Sequence, residues 1–452
     1  MVLIKLQFET HRNGSHLKFF RFPHFRRMRL RAPLASAVLL ALALLLPLIC
    51  TPSPARAAEP LRIAYIDPLT GPFANAGAST LRHVRAAFEQ PEVRRLMQGT
   101  VVEIVPFDNR ASAQESLTQL QLAIDRGIRY VMQGQSSAAA LALSDAIEKY
   151  NARNPGREVL LLNYAALDPA LTNERCSYWH FRFDADVNMR MEALVAVLAR
   201  NPAIKSVYLI GQDYSFGRAV NQAARAALAR RRPDIGIAGE DLHPIGTVKD
   251  FAPYAAKIKA AHADAVITGN WGNDLTLLVR AARESSLNAD FYTFYAGSLG
   301  AVTATGAAGA GHLKQVNEWH GNQDPPGHPN RLLAAEYKKR YGEDFYFMRL
   351  WVLARMFGTA YAKAGAEPAQ LAAALEGLRI VGPTGPAEMR ASDHQLIEPL
   401  VVSTLWPIAA HGGPAEVTAD VEGTGLGFKT DAKVEGYVTA MPTTCRMRRP
   451  AR

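Results

Sequence analysis

The sequence predicts an α/β fold built as two lobes of similar size. Short apolar runs alternate with amphipathic stretches of helical period along most of the chain. The runs are continuous, such as YVM at 130–132 and AVIT at 265–268, as parallel strands buried on both faces require. The alternation occurs twice, in a first set closing at 164 and a second beginning at 188, on the same plan.

In the first set, LRIAYI (61–66) reads as a strand, with a helix expected from Ser79 as its N-cap. VVEIVPF (101–107) precedes a helix over 112–125, IRYVMQG (128–134) precedes one over 140–150, and EVLLLNY (158–164) closes the set. The second set begins with a helix over 188–198. Strands at 205–211, 235–241, 263–269 and 291–297 then alternate with helices at 219–229, 251–261 and 275–286. The Pro/Gly-rich GNQDPPGHP (321–329) leads to two or three helices between 331 and 378, one of them spanning 345–364. Residues 386–405 read as short strands. Residues 411–436, rich in Gly, Thr and Ala, read as a loop-rich appendage.

The strand 61–66 stops at Asp67-Pro68, and the loop PLTGPFANAG follows it. In an open α/β sheet such strand ends form the ligand crevice. The loop has no phosphate-cradling glycine pattern, which points to a different small molecule.

The net charge of +10 suggests a nucleic-acid partner at first sight. Its distribution argues against one. Nine Lys/Arg and one Asp/Glu lie within residues 1–57, leaving only +2 on the rest of the chain. That leader has a basic start at 28–31, an apolar stretch at 34–49, and Ala55-Arg56-Ala57 as a cleavage signal. We expect a secretory signal peptide over 28–57, cut between Ala57 and Ala58, with residues 1–27 an over-extended start. A lipoprotein reading of Cys50 is the alternative. Export leaves Cys176 and Cys445, an even count that favours one disulfide, two buried thiols being the alternative. Two cysteines this far apart, without clustered histidines, do not suggest a metal site.

Catalytic patterns are weak. Ala296-Gly-Ser298-Leu-Gly300 is one residue from a nucleophile elbow, and Gly423–Gly427 lacks the helix that a dinucleotide site needs. His83, His243 and His262 stand singly and read as surface residues. Neither enzyme activity nor a cofactor is expected.

Six segments carry a family resemblance: PLTGPFANAG (68–77), QSSAAALALSD (135–145), NYAALDPALT (163–172), LIGQDYSFGRA (209–219), DFAPYAAKIKAAHADAVITGN (250–270) and GPTGPAEM (382–389). In this order and spacing the chain resembles type I periplasmic binding proteins, specifically the Leu/Ile/Val-binding branch that serves ABC importers. The resemblance implies two Rossmann-like lobes joined by a three-segment hinge, with the ligand closed between them. Lobe one would be 61–182 plus 323–385, lobe two 183–322 plus 386–408, with 409–452 a tail. It further implies a periplasmic monomer that binds a small molecule and hands it to an inner-membrane ABC permease. A ligand sensor feeding a signalling partner is the other reading of the same fold.

The family's ligand positions fall on Ala76, on Ser136 and Ser137, on Tyr164, Ala165, Ala166 and Leu167, and on Phe216, Trp271, Tyr295 and Tyr346. Ser137 suits a ligand grip or a helix N-cap, and Tyr164 and Tyr346 suit the cleft or the core. Leu167 replaces a ligand-binding Thr, and Tyr295 falls within a residue of the acid that pairs with a ligand ammonium. Both departures point away from an aliphatic amino acid. The aromatic set suits a flat apolar ligand or a cationic head group.

Overall fold

The computed structural model describes residues 59–450. The leader, with its expected cleavage site and Cys50, lies outside them. Five parallel strands form the first sheet: β1 (Leu61–Asp67), β2 (Val102–Asp108), β3 (Tyr130–Gln133), β4 (Leu160–Asn163) and β5 (His180–Arg182), in the order β2-β1-β3-β4-β5. The second sheet starts with β6 (Ser206–Gln212), β7 (Gly236–His243), β8 (Ala265–Thr268), β9 (Asp290–Thr293) and β10 (Leu313–Asn317), all parallel. A small antiparallel sheet holds β11 (Arg379–Gly382), β12 (Gly385–Met389) and β13 (Leu396–Ile397). Then β14 (Leu400–Pro407) and β15 (Leu426–Val434) return antiparallel to the edge of the second sheet, giving β15-β14-β10-β9-β8-β6-β7. Two α/β lobes result, as the sequence predicts.

Helix starts follow local chemistry. Ser112, Ser136 and Asp186 each accept a hydrogen bond from the backbone N–H three residues on, satisfying an otherwise orphaned donor. The first helix departs from expectation. It spans Ala74–Phe88, so Ser79 lies buried within it and is no cap. The small residues 74–78 let the helix begin early, close against the β1 loop. At Gly77 a Cβ would stand 1.8 Å from the Pro68 carbonyl oxygen, so only glycine fits there.

The chain crosses between lobes three times, near Asp184, near Glu318 and near Glu398. Ala387, Met389 and Leu396 join the first lobe's core, while Leu400 and Val402 join the second. The last crossing therefore follows Leu396, later than the resemblance implies, because β11–β13 make their own sheet against lobe one. The appendage also differs from expectation: nine of its residues form β15, which buries Leu426, Gly427 and Phe428. Composition hid this strand, because it is apolar only at one end.

Cys176 and Cys445 form the disulfide. Beside it the Thr443 hydroxyl donates to the Thr172 carbonyl and Arg449 donates to Glu376, so the tail runs from β15 in lobe two back onto lobe one. Two expectations fail for histidine. His83 and His243 are buried. His83 Nε2 accepts the Tyr346 N–H at 3.0 Å, and His243 Nε2 lies 2.8 Å from Asn270 Nδ2. Their neighbours satisfy both rings, which makes burial tolerable.

Candidate functional site: the cleft between the lobes

Strand ends and the helix starts that follow them build the two walls. Asp67 at the end of β1 is buried, with no exposure. Its carboxylate accepts the N–H groups of Gly134 (3.1 Å) and Gln135 (3.0 Å), the Gln133 amide (3.1 Å) and the Tyr164 hydroxyl (2.6 Å). Burial pushes the Asp67 carboxyl up to about 7, against the pull of these hydrogen bonds. The strand end at Asp67 thus holds no ligand itself. It fixes the loop 133–137 and the Tyr164 ring, and these face the cleft.

Lobe one contributes Ala76, Ser79, Thr80, the segment 134–137, Tyr164 and Ala165. Lobe two contributes Tyr214, Phe216, Trp271, Gly272, Tyr295, Ser298 and Leu299, and the start of the helix Met348–Ala364 adds Phe347 and Arg349. The cavity between these walls is small, about 90 Å³. The lobes touch across it. Phe73 of lobe one lies 4.2 Å from the Trp271 ring, centroid to centroid, and Trp271 Nε1 donates to the Tyr214 hydroxyl at 2.9 Å. The same Phe73 ring occupies the space beside Gly246 and Gly272, where added Cβ atoms would come within 2.9 and 3.0 Å of it.

Of the positions named from sequence, Ala76, Ser136, Ser137, Tyr164, Ala165, Phe216, Trp271 and Tyr295 come together here. Three do not. Leu167 is fully buried in the second lobe's core, and Ala166 packs with Ala140 and Leu171. Tyr346 lines a smaller adjoining cavity, where its hydroxyl donates to Glu422 at 3.0 Å. Ser137 is the first residue of its helix, with Ser136 as the cap, and its hydroxyl accepts from the Asp168 N–H at 3.3 Å. Sequence reasoning missed Tyr214, Phe347 and Arg349. The first two sit beside quoted aromatics, so proximity to Phe216 and Tyr346 was an available signal.

Among the described residues no carboxylate lines the cleft, which leaves a cationic head group with aromatic faces alone. Ser298 reaches the cleft, and its hydroxyl donates to the Tyr295 carbonyl at 2.7 Å.

Behind the cleft, the three crossings bring Asp184, Glu318 and Glu398 together with Arg190 and Arg349, all buried. Arg190 Nη2 bonds Asp184 at 2.6 Å, and Arg349 Nη1 bonds Glu318 at 2.9 Å. Neither carboxyl oxygen of Glu398 has a hydrogen-bond partner among the described residues. Burial, then the Glu318 and Asp184 charges, hold Glu398 well above the usual carboxylate range.

Two α/β lobes that face each other across an aromatic cleft are the architecture of a solute-binding protein. Comparison with known proteins agrees in detail. The chain belongs to the periplasmic binding protein family, whose profile matches residues 60–406. It is 31% identical over 407 residues to "Leu/Ile/Val-binding protein homolog 4" of Brucella abortus (strain 2308), covering 87% of this chain and 94% of that one. Among solved structures it resembles the closed conformation of the leucine-, isoleucine-, valine-, threonine-, and alanine-binding protein of Brucella ovis. There the TM-score is 0.75 at 29% identity, over 87% of this chain and all (100%) of the other. A Rhodopseudomonas palustris ABC-transporter solute-binding protein in complex with benzoate shares the fold, with a TM-score of 0.72 at 14% identity over 86% and 100% of the two chains. The protein is thus a periplasmic, non-enzymatic substrate-binding component of an ABC transporter.

Proposed function

We propose that this protein captures a flat, ring-containing small molecule and delivers it to an inner-membrane ABC permease by hinge closure. The carrying observation is the cleft itself. Six of its side chains, Tyr164, Tyr214, Phe216, Trp271, Tyr295 and Phe347, are aromatic, and both lobes contribute to them. Ala76, Ser136, Ser137 and Ala165 form the wall between them, with the two serines its polar part. Ala166 and Leu167 serve as packing behind the cleft, and Tyr346 lines the adjoining cavity. The lobes are 61–182 with 323–397, and 183–322 with 398–434. The mature monomer starts at Ala58, after removal of the signal peptide. Ligand bridging both walls shifts the population toward the closed form, and the permease reads the closed pair of lobe surfaces.

A thermal-shift screen of the ligand-stripped mature protein tests this. The panel holds aliphatic amino acids, aromatic acids, aromatic amides and quaternary amines. A ligand at about a hundred times its dissociation constant adds roughly 2.7 kcal/mol and raises the melting temperature. Ring compounds are expected to shift it. A shift by leucine or valine alone refutes the aromatic reading.

A further inference from the structure

Among the described residues, Arg349 is the one charged side chain that lines the cleft. It is 3% exposed and held on three sides. Its backbone N–H and Nη1 donate to Glu318, at 3.2 Å and at 2.9 and 3.0 Å, and its Nε lies 3.3 Å from Asp184 Oδ2. The guanidinium carbon sits 4.9 Å from the Phe347 ring centre. Its remaining nitrogen, Nη2, has no hydrogen-bond partner among the described residues. Tyr295, which lines both the cleft and the small adjoining cavity with Arg349, likewise has no partner for its hydroxyl there. Both groups line the cleft and the small cavity beside it, and neither is closed off by a protein acceptor. A charged donor left open to a ligand favours an anionic acceptor.

We propose that Arg349 Nη2 and the Tyr295 hydroxyl receive the carboxylate of the ligand, so that the cleft selects ring compounds that carry an acid and no ammonium group. This rests on the ring-binding function proposed above. Three features support the sign of the charge. Among the described residues no carboxylate lines the cleft to pair with an ammonium, and an unpaired buried ammonium is costly. Glu318 and Asp184 hold the guanidinium in place before ligand arrives, so little reorganisation opposes binding. Phe347, Phe216 and Trp271 line the same cleft as Arg349, which gives an aromatic body walls beside the head-group site. The bland alternative is that Arg349 only balances the hinge carboxylates. That role does not use Nη2.

The test is calorimetric titration of the ligand-stripped mature protein with four probes: benzoate, benzamide, benzylamine and phenylalanine. Benzoate is expected to bind about tenfold or more tighter than benzamide, with benzylamine and phenylalanine weaker still. Arg349→Gln is expected to lower benzoate affinity by about tenfold or more while changing benzamide affinity by less than about threefold. A purely structural role would weaken both probes alike, and that result overturns the proposal. If Arg349→Gln does not fold, because Glu318 is left unpaired, Tyr295→Phe is the second variant. It should narrow the preference of benzoate over benzamide by about threefold or more, and an unchanged preference refutes the proposal. Equal binding of benzoate and benzamide by the unmodified protein refutes the anion assignment alone. Binding of none of the four ring compounds refutes the ring-binding function, and this inference with it.

Discussion

Phe73 is the side chain through which lobe one grips lobe two. It is 5% exposed, it lies against Trp271, and it fits beside two glycines at positive φ, Gly246 (67°) and Gly272 (59°). Consider Phe73→Ala. An aromatic side chain buries roughly 150–250 Å². If about half of that area faces lobe two, closure loses about 100 Å² of apolar contact, worth roughly 2.5 kcal/mol at ~25 cal/mol per Å². Contact to lobe two exists only when the cleft is shut, so the loss falls on the closing equilibrium. Apparent ligand affinity should then drop about seventyfold. The melting temperature of the ligand-free, open protein should barely move. Calorimetric titration with the tightest ligand from the thermal screen, beside a melt of the empty protein, reads both quantities. Gly272→Ala acts from the opposite side and should also weaken binding, since its Cβ would stand 3.0 Å from the Phe73 ring. Unchanged affinity in Phe73→Ala, or a melting loss as large as the binding loss, would make Phe73 an ordinary core residue and refute the latch.

Trp271→Ala removes both a cleft wall and the partner of Phe73, so we expect a loss of affinity of about tenfold or more without unfolding. Titration with the same ligand checks it, and full affinity would place the ligand elsewhere. Reducing the Cys176–Cys445 bond opens a loop with a sequence separation of 269. Chain entropy alone gives a ceiling of about 5–6 kcal/mol for such a loop, and the expected loss is about 2–4 kcal/mol. Urea midpoints with and without reductant should differ accordingly, and coincident midpoints count against the bridge as a stabiliser. His83 and His320 are buried, and burial lowers each from an ordinary value near 6.5 to about 4. Their folded forms favour the neutral ring. The stability they contribute is therefore present above about pH 6.5 and is lost as pH falls toward 4. Melting temperatures from pH 7 to 4 should fall less steeply in His320→Gln than in the parent.

The architecture was legible because parallel strands buried on both faces leave continuous apolar runs, and nearly every such run became a strand. The failures have local causes. Ser79 looked like a cap, but the run of small residues before it packs tightly enough to be helical, with Gly77 against Pro68. β15 escaped notice because its outer residues, such as Lys429 and Asp431, face solvent at a sheet edge, as edge strands commonly do. His83 and His243 looked solitary because their partners, Tyr346 and Asn270, are distant in sequence.

The site divides along the same line. Loops that leave strand ends, at 134–137, 164–165 and 214–216, point into the cleft by topology, so their positions could be read from the pattern. Leu167 and Tyr346 belong to comparable stretches, yet their side chains follow the second core and Glu422, and no local pattern announces either. Arg349 is harder still. Asp184, Glu318 and Glu398 are widely separated acids that resemble surface residues one by one. Only the three chain crossings collect them, and only then does an arginine just past an aromatic triplet become a fixed cation at the cleft. Its anchors sit on two of those crossings, at Asp184 and Glu318. A carboxylate reaching Arg349 therefore touches the group that joins the cleft to the hinge, so recognition of the ligand's charge and closure of the lobes act through one side chain.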